Sequence, residues 1–201
     1  MSAVTEHAPP DQMWQGSRDE LFLLQHPCIC CRTKDATTVI PTTVFVGGSR
    51  AICAIPAIIE PRLQQIIVRN HTVVLGDAPG ADTCVQRFFA DQGYANVTVY
   101  HSGQHCRTNL GRWPRRSIEA EGRPGTAAFY TVKDTAMTAV ASHGLMLWDG
   151  TSKGTLANVR RLLGQGKPVL VYLSSERTAI TVRSIPDIEG LILHHLTASL
   201  Y

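Results

Sequence analysis

The sequence of 201 residues has no long hydrophobic run and little net charge. No window approaches the roughly 18 apolar residues of a membrane-spanning helix, and residues 1–10 lack the basic flank and apolar core of a signal peptide. Charged residues make up 17% of the chain and the formal net charge is +3, a balance too mild to indicate a nucleic-acid partner by itself. We therefore expect a cytoplasmic protein with no membrane partner.

The sequence also lacks the cysteine pattern of a disulfide framework or of a strong zinc site. Its six cysteines are irregularly spaced, and the Cys28–Cys31 cluster, preceded by His26, is not followed by a second C-x2-C pair. Cys53 and Cys84 lie within apolar helical patterns, which predicts two buried thiols. We expect no bound metal and no cofactor.

What the chain does contain is the pattern of one α/β domain. Hydrophobic residues make up 44% of the sequence, and from about residue 41 to 175 short apolar runs alternate with amphipathic stretches, which is typical of βαβ units and a mostly parallel sheet of about five or more strands. Residues 1–40 are expected to form an N-terminal arm, and residues 176–201 a C-terminal tail that packs on the domain. Periodicity predicts strands at 43–46, 72–75, 97–100, 145–148 and 169–173 and helices at 55–70, 80–92, 132–141 and 154–163.

Three predicted turns from a strand into a helix carry residue types that bind anions, and in an open parallel sheet such turns share one edge. The first, Gly47-Gly48-Ser49-Arg50, offers glycines for close approach, a hydroxyl and a guanidinium suited to a phosphate; alternatively, the glycines only make a tight turn. In the second, Gly80 precedes a helix with Asp82 in its first turn. Asp82 alternatively does no more than complement the helix dipole.

The third turn, residues 149–155, combines small polar side chains with successive N–H groups that can form an anion nest. The alternative is a loop in which Ser152 or Thr151 caps the helix with no ligand. None of the three turns matches G-x4-G-K-[ST] or G-x-G-x-x-G, so ATPase and NAD-binding functions lose their main support. The candidate ligand-binding residues are Gly48, Ser49, Arg50, Gly80, Gly150, Thr151, Ser152, Gly154 and Thr155.

Four short motifs follow one another on the predicted elements between residues 43 and 173. They are Gly48-Ser49-Arg50, Gly76-x3-Gly80-Ala81-Asp82, Lys133-Asp134-x2-Met137 and Asp149-Gly150-x3-Gly154-Thr155. In this order they resemble the SLOG superfamily, especially its YspA-like branch. The resemblance implies a Rossmann-like three-layer sandwich that binds a nucleotide or nucleotide-derived ligand. Members of that superfamily include the LONELY GUY phosphoribohydrolases, which cleave the base from a nucleoside monophosphate, and the DNA-processing protein of natural transformation.

Compared with the LONELY GUY pattern, this chain keeps the phosphate-binding half and departs from the catalytic half. Lys133 stands where that family has an Arg, and Asn158 stands where it has a catalytic Glu. An amide cannot exchange a proton near neutral pH as a carboxylate can. Asp82, Asp134 and Asp149 are substitute carboxylates, with capping and turn formation as their alternative roles. The candidate catalytic residues are Asp82, Lys133 and Asp149, in a protein that acts as a nucleotide sensor or as an N-glycosidase on a nucleoside phosphate.

The irregular segment at 102–129 suggests a second function. It is rich in arginine and has aromatic neighbours, a mix that grips phosphates and stacks bases, although a solvated loop is an equally ordinary explanation. The alternative function is therefore single-stranded nucleic-acid binding through residues 107–123. We also expect a homodimer formed through the apolar helix at 55–67. The segment's relevant side chains are Arg107, Arg112, Arg115, Arg116 and Arg123, with Trp113 and Tyr130 nearby.

Overall fold

The computed structural model of the protein describes residues 42–198. These residues belong to a single compact unit of the chain. The expected arm at 1–40 and the Cys28–Cys31 cluster lie outside the described residues.

Strands and helices alternate along most of the described chain, as the sequence predicts for an α/β domain. The elements are β1 (Thr43–Gly48), α1 (Glu60–Val68), β2 (Thr72–Leu75), α2 (Ala81–Asp91), β3 (Val97–Ser102), β4 (Arg115–Ile118), α3 (Ala127–Val140), β5 (His143–Trp148), α4 (Lys153–Gly164), β6 (Val169–Leu173), β7 (Thr178–Val182) and α5 (Ile185–Ala198).

The strands form one seven-stranded sheet in the order β4-β3-β2-β1-β5-β6-β7. Every neighbouring pair is parallel except β6 and β7, which are antiparallel. From β1 the chain moves outward through β2 and β3 to β4, and α3 then returns it to β5 on the other side of β1. The expected mostly parallel sheet is confirmed. Strands β2 to β4 are added on one side of β1 and strands β5 to β7 on the other, so the strand order reverses between β1 and β5.

Helices cover both faces of the sheet, which gives the expected Rossmann-like three-layer sandwich. One core cluster joins α1 and α2 to alternate strand residues such as Val44, Val73 and Val99. The other joins α3, α4 and α5 to the intervening residues, among them Phe45 and Val74. This division follows from the period of two in a strand, which turns successive side chains to opposite faces. Because both faces are covered, the central strands are apolar along nearly their whole length.

The predicted helix at 55–70 is the element that differs most from the structure. Only Glu60–Val68 is helical, with a proline in its first turn, because Pro56 interrupts the apolar pattern that begins at Ile55 and proline at that depth removes a helical hydrogen bond. Cys53 therefore lies in an irregular connection and is exposed, whereas Cys84 on α2 is buried. The prediction of a buried thiol is wrong for Cys53.

The segment predicted as irregular at 102–129 contains β4 and the start of α3. β4 was missed because its sequence, Arg-Arg-Ser-Ile, has no apolar alternation, and three of its four residues are exposed. It forms by parallel pairing with β3 at the edge of the sheet, where charged side chains are common. The start of α3 is fixed by Thr126, whose hydroxyl accepts a hydrogen bond from Phe129 N at 3.3 Å.

The C-terminal segment is part of the sandwich, because β7 completes the sheet and α5 packs on the α4 side. Ile188 and Leu191 of α5 are buried in the second core cluster. None of the helices in residues 42–198 has the length and apolar character that crossing a bilayer requires.

Candidate functional site at the carboxyl edge of the sheet

The carboxyl ends of β1 and β5 meet at the point where the strand order reverses. In open α/β sheets this is where ligands bind, because the loops from the two strands turn away from each other and leave a crevice. The loop after β1 begins at Ser49 and the loop after β5 begins at Asp149, so two of the three predicted anion turns lie side by side at this switch point. The third, after β2, lies beside the β1 loop.

A buried hydroxyl cluster ties the β1 loop to the β5 loop. The Ser49 hydroxyl lies 3.2 Å from the Thr155 hydroxyl and accepts a hydrogen bond from Asp149 N at 3.1 Å. The Thr155 hydroxyl also contacts the Ser152 hydroxyl at 3.0 Å. Ser49 and Thr155 are buried, and their hydrogen bonds hold the two loops together. The more exposed residues beside them form the loop surface that faces solvent.

The N-terminus of α4 lies at this loop surface. Ser152 caps the helix by accepting a hydrogen bond from Thr155 N, as the alternative interpretation expects. The N–H groups of Lys153 and Gly154 donate to no backbone carbonyl within residues 42–198, as is usual for the first positions of a helix. A Cβ on Gly154 would meet no atom of residues 42–198 within 4 Å. The helix therefore presents donors and positive dipole charge to an open space.

The carboxylate of Asp149 faces its own loop. One oxygen accepts hydrogen bonds from Thr151 N at 2.9 Å and from Ser152 N at 2.7 Å. Partial burial opposes ionisation, but these N–H groups outweigh it and hold the pKa of Asp149 below its usual value. The side chain thus stays ionised and shapes the loop, which is the turn-forming role considered above for this candidate catalytic residue.

Glycines allow the three loops to approach one another closely. A side chain on Gly80, whose φ is +83°, would overlap the backbone of Arg50, and a Cβ on Gly48 would overlap the Leu147 carbonyl. Ala81 N donates to Ser49 O at 3.2 Å across the same junction. Gly48 and Gly80 therefore serve the packing of the loops, while Arg50 is exposed beside them.

A buried acid–base pair lies directly under the loop after β2. A Cβ on Gly76 would overlap an Asp82 carboxylate oxygen and lie 2.6 Å from the Lys133 ammonium, so the pair occupies the space that the glycine leaves. Burial raises the pKa of Asp82 to about 6 although Lys133 acts in the opposite direction. For Lys133, burial favours the neutral amine, but Asp134 and Asp82 outweigh it and raise its pKa. Of the two, Asp82 is the group that can exchange a proton near neutral pH.

Asp134 and Asn158 extend this pair into a polar chain. Lys133 Nζ lies 3.0 Å from Asp134 Oδ1, and Asn158 donates from its amide to Asp134 Oδ2 at 3.2 Å. The amide oxygen of Asn158 accepts from Arg161 at 2.7 Å. Asn158 therefore joins Asp134 on α3 to Arg161 on α4, and as an amide it cannot take the proton-transfer role of a carboxylate.

A second charged cluster lies at the ends of β2 and β3. The buried carboxylate of Asp77 forms a bidentate ion pair with the Arg107 guanidinium, with contacts of 2.5 and 3.0 Å. It also accepts a hydrogen bond from Arg107 N. Burial alone would raise the pKa of Asp77, but the Arg107 hydrogen bonds and charge lower it. The Arg107 guanidinium lies 4.3 Å from the Tyr130 ring centroid, and that of Arg50 lies 5.7 Å from it. Sequence reasoning had no pattern that could pair Asp77 with Arg107.

The arginine-rich segment is not one continuous surface. Arg107 is committed to Asp77, and the side chain of Trp113 is buried, with its indole N–H donating to Tyr94 O at 2.8 Å. Trp113 therefore belongs to the core and cannot stack a base. Arg115 and Arg116 are exposed on β4, and the Arg116 guanidinium lies against Tyr100.

The sequence reasoning also missed His195 on α5. A Cβ on Gly150 would overlap its imidazole, so α5 reaches the loop after β5. Nothing in the local sequence pattern indicates this contact, because it depends on how the last helix crosses the sheet. Within residues 42–198 no group of three His, Cys, Asp or Glu side chains is arranged to hold a metal ion.

Comparisons of the chain with protein-family models, with curated proteins and with solved structures found no match. The likeness to the SLOG superfamily therefore stays a prediction from the four sequence motifs.

Proposed function

We propose that the loops at the carboxyl ends of β1 and β5 bind a nucleotide or nucleotide-derived ligand through its phosphate. The observation that carries this proposal is the N-terminus of α4 at the topological switch point. There the N–H groups of Lys153 and Gly154 donate to no backbone carbonyl of the described residues, and no described atom lies within 4 Å of a Cβ placed on Gly154. The buried bonds of Ser49 and Thr155 support it, because they fix this helix end before any ligand arrives and so reduce the ordering cost of binding.

The charges on these loops favour an anionic ligand that extends beyond one phosphate. Lys153 and Arg50 are exposed at the loops, and Arg50 lies beside Tyr130. A guanidinium next to an aromatic ring offers a charged contact for a second phosphate and a flat surface for a base or ribose. A nucleotide supplies phosphate, ribose and base in one molecule.

The hydrolytic form of this function would depend on Asp82, which lies beside Lys133 beneath Gly76. A buried carboxyl that titrates near neutral pH can act as a general acid or base, and Lys133 beside it can stabilise negative charge that develops on a leaving group. In an N-glycosidase reaction Asp82 would protonate the departing base or remove a proton from the attacking water. Release of free base from nucleoside monophosphates, lost in Asp82→Asn, is the expected result; no release across a broad panel would leave binding without turnover.

The binding experiment uses a glycine that the structure leaves unobstructed. Gly154→Ala adds a methyl group that meets no atom of the described chain and replaces glycine in a helix, so the protein should be as stable as the wild type or slightly more stable. The same methyl group obstructs a phosphate lying against the helix N–H groups. We expect calorimetric titration with AMP, ADP and ADP-ribose to show a clear loss of affinity in this variant.

Gly164→Ala is the matched control for Gly154→Ala. Gly164 lies at the other end of α4, and a Cβ there also meets no atom of the described part of the chain within 4 Å, so this substitution should leave affinity unchanged. If the wild type binds none of the three nucleotides, or if both alanine variants bind them equally well, the proposed site is wrong.

Single-stranded nucleic-acid binding is favoured by one observation, the exposure of Arg115 and Arg116 on the edge strand β4. It predicts an affinity that falls with salt and falls further when both arginines are neutralised. An affinity for single-stranded DNA that does not depend on salt would eliminate this function.

Dimer formation through α1 is supported by two exposed apolar side chains, one at the last residue of the helix and one just before its start. Ile58 and Val68 are 49% and 74% exposed. Sedimentation of Val68→Glu should show a shift toward the monomer, and a wild-type protein that already sediments as a monomer would refute the dimer.

A further inference from the structure

The guanidinium of Arg107 is held in place by a buried carboxylate along one edge and by an aromatic ring on one face. Its Nε and Nη2 groups donate to the two oxygens of Asp77, at 3.0 and 2.5 Å, and the Asp77 side chain is only 2% exposed. The guanidinium carbon lies 4.3 Å from the ring centroid of Tyr130. A planar group that is paired along one edge and stacked on one face keeps a single orientation.

The pairing with Asp77 leaves the Nη1 group of Arg107 outside the ion pair. Among residues 42–198 no group accepts a hydrogen bond from Nη1, and the Arg107 side chain is 30% exposed. Arginine carries five N–H donors, so a guanidinium held through Nε and Nη2 still has donors for a second anion. These donors are fixed before any ligand arrives, which reduces the ordering cost of binding.

A second guanidinium, that of Arg50, lies against the same ring. Its carbon is 5.7 Å from the Tyr130 centroid, and within the described residues Arg50 forms no ion pair with a carboxylate. Two cations at one ring repel each other, and Asp77 directly pairs with only one of them. Asp82 also acts on Arg107, but it is buried and has a lysine of its own nearby. An anion bound at the ring would offset the repulsion.

The chain connects this pair of arginines to the two loops of the proposed site. Arg50 directly follows Ser49, whose hydroxyl contacts Thr155 in the loop region after β5. The Arg50 side chain lies against Tyr130 in the first turn of α3, and Asp77 follows β2. The two guanidinium groups therefore lie on the β2 side of the β1 loop, opposite the β5 loop. A ligand with one phosphate at the loops would reach them with the next phosphate.

We propose that Arg107, together with Arg50 and Tyr130, binds the second phosphate of a nucleoside diphosphate, and that Asp77 is the positioning residue for Arg107. This inference rests on the proposed function and names its ligand class, a nucleoside with two linked phosphates. The second phosphate accepts hydrogen bonds from Nη1 of Arg107 and from the Arg50 guanidinium, and the ion pair between Arg107 and Asp77 stays intact.

The test compares ADP with AMP, because these nucleotides differ only in the second phosphate. Calorimetric titration at constant salt and at about pH 7.5 measures both affinities where the terminal phosphates are ionised. We expect the wild type to bind ADP about tenfold to a hundredfold more tightly than AMP, the usual contribution of hydrogen bonds between charged groups. Arg107→Lys keeps a positive charge for Asp77 but lacks the second edge of a guanidinium, so the ratio of the two affinities should fall toward one.

Arg115→Lys is the matched control for Arg107→Lys. Arg115 belongs to the same arginine-rich segment but is exposed on β4, and in the described chain it has no ion pair with Asp77 and no contact with the Tyr130 ring. This variant should keep the wild-type ratio. Arg50→Gln is a second test variant, because Arg50 is exposed and its loss leaves the buried ion pair intact. It should also lower the ratio of ADP to AMP affinity.

Inorganic pyrophosphate tests the phosphate contact without a nucleoside. It should bind the wild type and Arg115→Lys alike and bind Arg107→Lys at least about tenfold more weakly. Equal pyrophosphate affinity in all three proteins would contradict the role of Arg107.

The outcomes separate this inference from the proposed function. If both nucleotides bind and Gly154→Ala weakens them, but the wild type does not prefer ADP or Arg107→Lys keeps the wild-type ratio, Arg107 is not in the site while the nucleotide function stands. If the wild type binds no nucleotide, both are overturned.

Discussion

Asp82 gives the most direct test of the electrostatics of this site. Its carboxyl has an ordinary pKa of 3.8 and a folded-state pKa of about 6 because it is buried. Below pH 3.8 the carboxyl is protonated whether the chain is folded or not. Between these two values the unfolded chain has lost the proton while the folded protein keeps it, so folding becomes less favourable as the pH rises. Above the folded-state pKa the carboxyl is ionised in both states, so the free energy of unfolding falls no further.

The magnitude follows from the difference between the two pKa values and corresponds to about 3 kcal/mol. Asp82→Asn removes the titration and preserves the shape of the side chain, and its oxygen can still accept the hydrogen bond from Ala78 N. The free energy of unfolding of this variant, relative to the wild type, should therefore rise by about 3 kcal/mol between about pH 3.5 and 7.

Urea denaturation followed by tryptophan fluorescence at a series of pH values measures this difference. Asp91→Asn is the matched control, because Asp91 is exposed at the other end of α2 and such substitutions usually change stability by less than about 0.5 kcal/mol. A difference between Asp82→Asn and wild type that stays constant across the pH range would show that the carboxyl does not have a raised pKa in the folded protein.

Three further substitutions test the packing around the site. Gly76→Ala should lower the free energy of unfolding by about 1–3 kcal/mol because its methyl group overlaps the Asp82 carboxylate, and the loss should shrink when Asp82 is also alanine; an equal loss in both backgrounds contradicts the overlap. Ser152→Ala should cost about 1 kcal/mol and Ser152→Gly only a few tenths, because glycine is a tolerated helix cap; equal thermal shifts in the two would show that the cap contributes nothing. Arg107→Ala should cost about 3–5 kcal/mol in urea denaturation, because it leaves the buried Asp77 without its counter-charge, and a cost below about 0.5 kcal/mol would contradict this ion pair.

The sequence predicted most of the fold because its signals are local. Two strands, at 72–75 and 169–173, have the predicted bounds, and α2 and α4 differ from their predictions by one residue at each end. These elements are bounded by glycines or capping residues and have strong apolar periods. The failures occur where local signals conflict, as at Pro56, or where an element exists only through its neighbour, as with β4 beside β3.

The sequence predicted the part of the candidate site that is formed by glycine-rich turns after strands. Glycine-rich turns after strands lie at the same edge of a parallel sheet, and the structure brings Ser49, Asp149 and Thr155 into contact. The structure also shows that Ser49 and Thr155 are buried and hold the two loops together. Exposure of a hydroxyl depends on what packs above it, which spacing along the chain does not encode.

The sequence by itself determined the α/β class, the order of most elements and the three turns at one edge, because periodicity and turn chemistry act over a few neighbouring residues. The tertiary structure decided which distant side chains meet. It places Lys133 beside Asp82 under Gly76, Arg107 on Asp77, and His195 on the Gly150 loop. These contacts join residues from 30 to more than 50 positions apart in the chain, and they depend on helix crossings and strand order. The pKa of Asp82 has the same origin, since burial and the Lys133 charge exist only once the sandwich has assembled.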